Sequence, residues 1–158
     1  MQMNANTIRF YLHSFDNLKI EIEHLKEALQ EYRKMDASAI KAQVITDMPI
    51  CHAGNSQTED KALQRVEYIQ NLEDEIDSKM RLVRAVESVM FYLRQSEATV
   101  MYYRYDYKEP DKPKLSWAEV AIKANYDEQC CKNLDRKIIH NIYANLLDKV
   151  PKANKVSA

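Results

Sequence analysis

Five amide and basic side chains lie within nine residues in the last third of the chain. Side chains of these types are the ones that hydrogen-bond base edges and phosphate oxygens in duplex DNA. Their spacing leaves them on the outward side of one predicted helix, near its start, where a recognition helix contacts DNA. The candidate DNA-contacting residues are Gln129, Lys132, Asn133, Arg136 and Lys137.

Two predicted helices, joined by a turn of three or four residues, would position these side chains. Ser116 and Glu119 form a capping-box sequence at the start of the first helix. Asn125 can adopt the left-handed conformation that ends a helix, Tyr126 is a candidate buried turn residue, and Asp127 is a good N-cap for the second helix. The inward positions are Trp117, Val120, Ala121 and Ala124, then Cys131, Leu134, Ile138, Ile142 and Leu146. This pattern predicts a helix-turn-helix, although an ordinary helical hairpin has the same pattern.

Two long heptad patterns precede this segment. The first runs from about residue 7, with Thr7 as its predicted N-cap, to about residue 35, and the second from about residue 58 to residue 94. Because a helix with one apolar stripe needs a partner, the two patterns predict an antiparallel, coiled-coil-like hairpin, and its spare apolar surface predicts a homodimer. The apolar positions are Ile8, Tyr11, Phe15, Leu18, Ile22, Leu25, Leu29 and Tyr32, then Val66, Ile69, Leu72, Ile76, Met80, Val83, Val86, Met90 and Leu93.

The predicted domains are the hairpin, residues 1–95, and the helix-turn-helix, residues 96–150. Inside the hairpin, residues 36–57 predict a loop that is long for a compact domain, with an apolar part that folds back along the helices. Residues 151–158 lack periodicity, and they predict a disordered tail whose lysines reach phosphate.

A short third helix, Glu97 to Tyr105, is predicted at the start of the second domain. Ser96 is its predicted cap, and Met101, Tyr102 and Tyr105 are its predicted inward residues. Tyrosines at positions 102, 103, 105 and 107 either pack around Trp117 or stack on bases, and packing is the favoured prediction.

The composition favours helices throughout the chain. One glycine and four prolines among 158 residues leave few of the tight turns that sheets need, so the predicted fold is all-α. The sequence contains no glycine-rich phosphate loop, nucleophile motif or metal-ligand spacing, and we expect neither catalysis nor a cofactor or metal. An odd number of cysteines, with Cys51 far from the adjacent Cys130 and Cys131, fits a reducing compartment. With no signal peptide and no long apolar run, the sequence predicts a cytoplasmic protein without membrane contact.

Short motifs in this chain resemble those of a known family. They are Tyr103-Arg104-Tyr105, Ser116-Trp117-Ala118-Glu119-Val120-Ala121, Tyr126-Asp127-Glu128 and the helix with Leu134, Arg136, Lys137 and Ile139, with a weaker match at Ile45-Thr46-Asp47-Met48-Pro49 and Gly54. They resemble small phage transcriptional regulators of the RinA and ArpU type, which are similar to region four of bacterial sigma factors. The resemblance implies a phage or prophage protein of the bacterial cytoplasm that binds double-stranded DNA, activates late genes and has RNA polymerase as a further partner. Asn125 stands where the family usually has glycine.

The charge balance predicts weak DNA binding by the isolated second domain. Residues 97–150 contain nine basic and nine acidic side chains, a net charge of zero, and affinity for phosphate depends on cations. Asp127, Glu128 and Asp135 lie on the recognition helix or at its start. Two alternatives therefore stay open: a protein-interaction module whose helix-turn-helix does not bind DNA, and a small terminase-like packaging subunit. A dimer favours the regulator, whereas a large ring favours the packaging subunit.

Overall fold

The computed structural model describes residues 3–45 and 55–148, and in these ranges the chain is helical and has no strands. The helices are α1 (Ala5–His13), α2 (Phe15–Ile45), α3 (Asn55–Phe91), α4 (Gln95–Met101), α5 (Trp117–Ala124) and α6 (Glu128–Asp148), with a π-helical turn at Tyr102–Asp106. The all-α prediction is confirmed. The predicted loop signature beyond Ile45 and the predicted tail at 151–158 lie outside the described residues.

The first heptad pattern is divided between two helices. α1 ends at His13, and Ser14 leaves the helical conformation with φ −133° and ψ 40° before α2 begins. The Ser14 hydroxyl donates a hydrogen bond to the carbonyl of Phe10 at 3.3 Å, which offers the backbone a local alternative to a continuous helix. The predicted cap at Thr7 is wrong, because the Asn4 side chain accepts a hydrogen bond from the Thr7 backbone N–H at 2.9 Å and begins α1 one turn earlier.

The long helices extend into the predicted loop. Residues 36–45 complete α2 and residues 55–57 begin α3, so both ends of the 36–57 segment are helical. Residues 36–45 contain three alanines and neither glycine nor proline, which favours continuation of the helix.

The described chain divides into two compact units. Among the described residues, the smaller unit is residues 19–45 and 55–80, and the larger unit is residues 3–18 together with 81–148. The division differs from the predicted boundary near residue 95, because α1 contributes the buried Ile8 and Leu12 to the larger unit.

In the smaller unit, α2 and α3 pack against each other and run in opposite directions. Residue numbers fall along α3 as they rise along α2, so the two helices are antiparallel where they meet. The contacting pairs are Glu21 with Lys79 at 2.5 Å, Tyr32 with Tyr68 at 4.8 Å between ring centroids, and Asp36 with Arg65 at 3.5 Å.

In the larger unit, a compact core lies between α4, α5 and α6. Its buried members are Val100, Leu115, Val120, Ala121, Ala124 and Cys131, with Tyr103, Tyr107, Trp117 and Leu134 packed against them. The tyrosines therefore include two that pack near Trp117, as the favoured alternative predicted. Tyr102 is 50% exposed, however, and α4 begins after Arg94, so the predictions of an inward Tyr102 and a Ser96 cap are wrong.

Candidate nucleic-acid interface

A three-residue turn joins α5 and α6, and local polar contacts shape it. Ser116 and Glu119 form the predicted capping box, with the Glu119 carboxylate accepting from the Ser116 N–H at 2.8 Å. Asn125 has φ 59° and ψ 43°, the left-handed conformation that ends α5. Asp127 accepts hydrogen bonds from the backbone N–H groups of Gln129 at 3.0 Å and Cys130 at 3.4 Å, which caps α6. All three predicted caps are confirmed.

Small side chains pack between α5 and α6 next to the turn. Ala121, Ala124 and Cys131 are buried where α5 and α6 meet. Burial raises the pKa of the Cys131 thiol, so the group stays neutral and acts as a small packing residue. Tyr126 is 41% exposed, and its predicted burial is wrong. Its backbone contacts α5 instead, since the Tyr126 N–H donates to the Ala121 carbonyl at 3.1 Å.

The outward side of α6 carries a row of exposed polar side chains at steps of four, three and four residues. We call Gln129, Asn133, Arg136 and His140 the α6 stripe. The side chains of Gln129 and Asn133 are joined by a 3.0 Å hydrogen bond, which aligns two amide groups along the helix. Within the described ranges, the Arg136 side chain forms no hydrogen bond or ion pair. The stripe therefore presents amides and one guanidinium to solvent, without a carboxylate.

The two candidate lysines flank the stripe, and both are bound to carboxylates. The Lys132 ammonium lies 2.6 Å from Glu128, and the Lys137 ammonium lies 2.8 Å from Glu97. Glu97 is only 6% exposed and also accepts the Arg94 N–H at 3.0 Å. The hydrogen bonds from Lys137 and from that backbone N–H lower the pKa of Glu97. Lys137 is thus a contact between α6 and α4 as well as a candidate for phosphate.

Asp135 does not face outward with the other side chains of the helix. It is 1% exposed, accepts the Tyr105 hydroxyl at 2.5 Å, and binds the Arg9 guanidinium at 3.0 and 3.1 Å. Burial, followed by the negative charge of Asp135, raises the pKa of Tyr105, which keeps the hydroxyl protonated as a donor. The expectation that Asp135 opposes DNA on the recognition helix is therefore wrong. The network instead holds α6 against α1 and the π-helical turn.

Charge is distributed unevenly between the two units. Within the described residues, the larger unit contains 12 basic and 11 acidic residues, a net charge of +1, whereas the smaller unit contains 8 basic and 12 acidic residues, a net charge of −4. The overall charge of −1 hides this difference. The α6 stripe belongs to the positively charged unit.

Sequence reasoning identified three members of the stripe and missed the fourth. Continuing the spacing from Gln129, Asn133 and Arg136 by one more step would have found His140. The Arg9–Asp135 contact joins residues 126 positions apart, and periodicity carries no signal for such a pair.

Comparisons with protein-family models, with curated proteins and with solved structures find no match to this chain. Among the described residues, no group of three or more His, Cys, Asp and Glu side chains could hold a metal ion. None of the helices in the same ranges is long and apolar enough to cross a membrane.

Proposed function

We propose that the chain is a sequence-specific regulator of transcription that binds double-stranded DNA through α6. The observation that carries the proposal is the α6 stripe, in which amide and guanidinium groups are exposed along one side of a helix. In this account, α5, the three-residue turn and α6 act as a helix-turn-helix, with α6 in the major groove. The resemblance to RinA-type and ArpU-type regulators supports a role in phage late-gene activation.

The stripe residues have different roles in this proposal. Gln129 and Asn133 are placed to read base edges, since a side-chain amide can both donate to and accept from adenine. Arg136 contacts guanine or a phosphate oxygen. His140 lies one turn further along α6, where the helix leaves the bases and approaches the backbone.

The electrostatics favour selective binding over strong non-specific binding. Lys132 and Lys137 are paired with Glu128 and Glu97, so each must exchange a carboxylate for phosphate to bind DNA. Few phosphate contacts give a shallow salt dependence and weak affinity for random sequence. The described part of the larger unit, which carries the stripe, has a net charge of +1, so the acidic excess of the chain lies in the other unit and does not oppose DNA at the stripe.

Selection from a random duplex library tests the proposal directly. We expect the full chain to enrich a defined sequence, and we expect Asn133→Ala to lose selectivity at one base position by about 1–3 kcal/mol. Asn141→Ala is the matched control, because Asn141 is also exposed on α6 but lies off the stripe. Enrichment of no sequence, or equal effects of the two substitutions, would contradict the proposal.

A protein-interaction role for the same surface is favoured by one observation. Ile122 near the end of α5 is 79% exposed and Tyr126 in the turn is 41% exposed, so each leaves apolar surface to solvent. Exposed apolar groups of this kind suit a protein partner better than phosphate. If Ile122→Ser leaves DNA binding intact but abolishes transcription activation in a reconstituted assay, the surface contacts a protein such as RNA polymerase in addition to DNA.

A further inference from the structure

The smaller unit contains a groove between its two antiparallel helices. The groove has a volume of about 410 Å³. Apolar side chains of both helices line it, and its charged side chains differ in sign between the two edges. The apolar lining residues are Leu29, Ile76 and Met80, and the polar ones are Lys26, Gln30 and Arg33 on the α2 edge and Glu73 and Asp77 on the α3 edge.

Two exposed apolar side chains of α3 lie on the same side of the helix as the groove. Positions 63, 66, 70, 73, 77 and 80 follow one another at steps of three and four residues, so they share one side of the helix. Leu63 is 60% exposed and Val66 is 64% exposed, whereas Leu72 on the inner side is 9% exposed. The groove side of α3 therefore leaves Leu63 and Val66 to solvent, in a row that also contains the polar Gln70, Glu73 and Asp77.

We propose that the groove binds the same groove of a second copy of the chain, so that two hairpins form a four-helix bundle. The charges of the edges decide the arrangement. A two-fold axis parallel to the helices places α2 of one chain against α3 of its partner, and the basic edge then meets the acidic edge. Neighbouring helices are also antiparallel in this arrangement, as in up-and-down bundles. A two-fold axis perpendicular to the helices would instead bring each basic edge against the partner's basic edge.

The attraction between the two edges is visible within one chain. Arg33 on the α2 edge forms an ion pair with Glu73 on the α3 edge. The pair of Glu21 with Lys79 and the rings of Tyr32 and Tyr68 set which residues lie at the same height along the hairpin. By this register, Lys26 is level with a position near residue 75. Of the acidic side chains that line the groove, the partner's Glu73 and the partner's Asp77 lie within about one helical turn of that height.

This inference goes beyond the proposed function and does not depend on it. The groove lies in the smaller unit, whereas the α6 stripe lies in the larger one. A chain that fails to bind DNA can still form the bundle, and a monomer can still bind DNA. Self-association and DNA binding are measured separately, so failure of one proposal is distinguishable from failure of the other.

Charge reversal on one edge at a time provides the test, with the full chain studied by sedimentation equilibrium. Lys26→Glu and Asp77→Lys each place like charges together at both symmetric positions of the dimer. We expect each variant alone to associate at least about tenfold more weakly than the wild type. An equimolar mixture of the two variants should form a heterodimer with wild-type affinity, because both contacts then join opposite charges. Matched controls are Lys61→Glu and Glu67→Lys, which reverse exposed charges outside the groove and should leave association unchanged.

The mixing experiment also separates a lost interface from a damaged hairpin. A variant that failed to fold would not regain association when mixed with another variant. The proposal is overturned if the wild type is monomeric at tens of micromolar, if either variant associates as the wild type does, or if the mixture forms no heterodimer.

Discussion

The hydroxyl of Tyr105 is the most informative single group to remove from this fold. It donates a hydrogen bond to the carboxylate of Asp135. Asp135 is 1% exposed and precedes Arg136 of the α6 stripe in the sequence. Tyr105→Phe leaves one carboxylate oxygen without its donor, while Arg9 still binds the other oxygen. A hydrogen bond to a charged group contributes about 1.5–3 kcal/mol, so the free energy of unfolding should fall by about 2 kcal/mol. For a chain of this length, that change lowers the melting temperature by roughly 5 °C.

Chemical denaturation followed by circular dichroism measures the change. Tyr92→Phe is the matched control, because Tyr92 is 81% exposed and removal of its hydroxyl should change stability by less than about 0.5 kcal/mol. The pair of variants compares the same chemical change in a buried network and at the surface. If Tyr105→Phe destabilises the protein no more than Tyr92→Phe, the network does not hold α6, and the positioning argument is wrong.

Three further predictions concern α4, α5 and α6. Asn125→Val should cost about 1–2 kcal/mol because a β-branched residue opposes the left-handed conformation, whereas Asn125→Gly should be neutral or stabilising, as thermal melts of both variants will show. Glu97→Gln should cost about 1–2 kcal/mol at neutral pH. Because the fold lowers the pKa of Glu97, this stabilisation is complete above the ordinary glutamate pKa and is lost as pH falls through the pKa of the folded state. Denaturation measured from about pH 7 to about pH 3 should therefore show the difference in unfolding free energy between the wild type and Glu97→Gln disappear. Alkylation followed by peptide mapping should label the exposed Cys130 in the native protein, and the buried Cys131 only after unfolding.

Local signals in the sequence predicted the caps around the turn correctly. Ser116, Asn125 and Asp127 act on backbone groups within a few residues, so their types and spacing contain the information. The break at Ser14 is also local, but the heptad pattern runs through it without interruption, and periodicity outweighed a single serine in the prediction.

Contacts between distant segments could not be predicted in the same way. The burial of Asp135 depends on Arg9 and Tyr105, which approach it only when α1 and the π-helical turn pack against α6. An aspartate at an apparently outward position was therefore counted as a surface charge. The net charges of the two units also differ in sign, and this becomes visible only when residues 3–18 are grouped with residues 81–148.

Whether α6 binds DNA is decided by the affinity of the wild type and of Arg136→Ala for the selected duplex, measured as a function of salt. The proposal predicts selective binding that weakens with salt, and it predicts weaker binding by Arg136→Ala. If Arg136 contacts phosphate, the substitution should also make the salt slope shallower by about one. Identical affinities of the two proteins across the titration, or no binding at low salt, would show that the α6 stripe is not a DNA-binding surface.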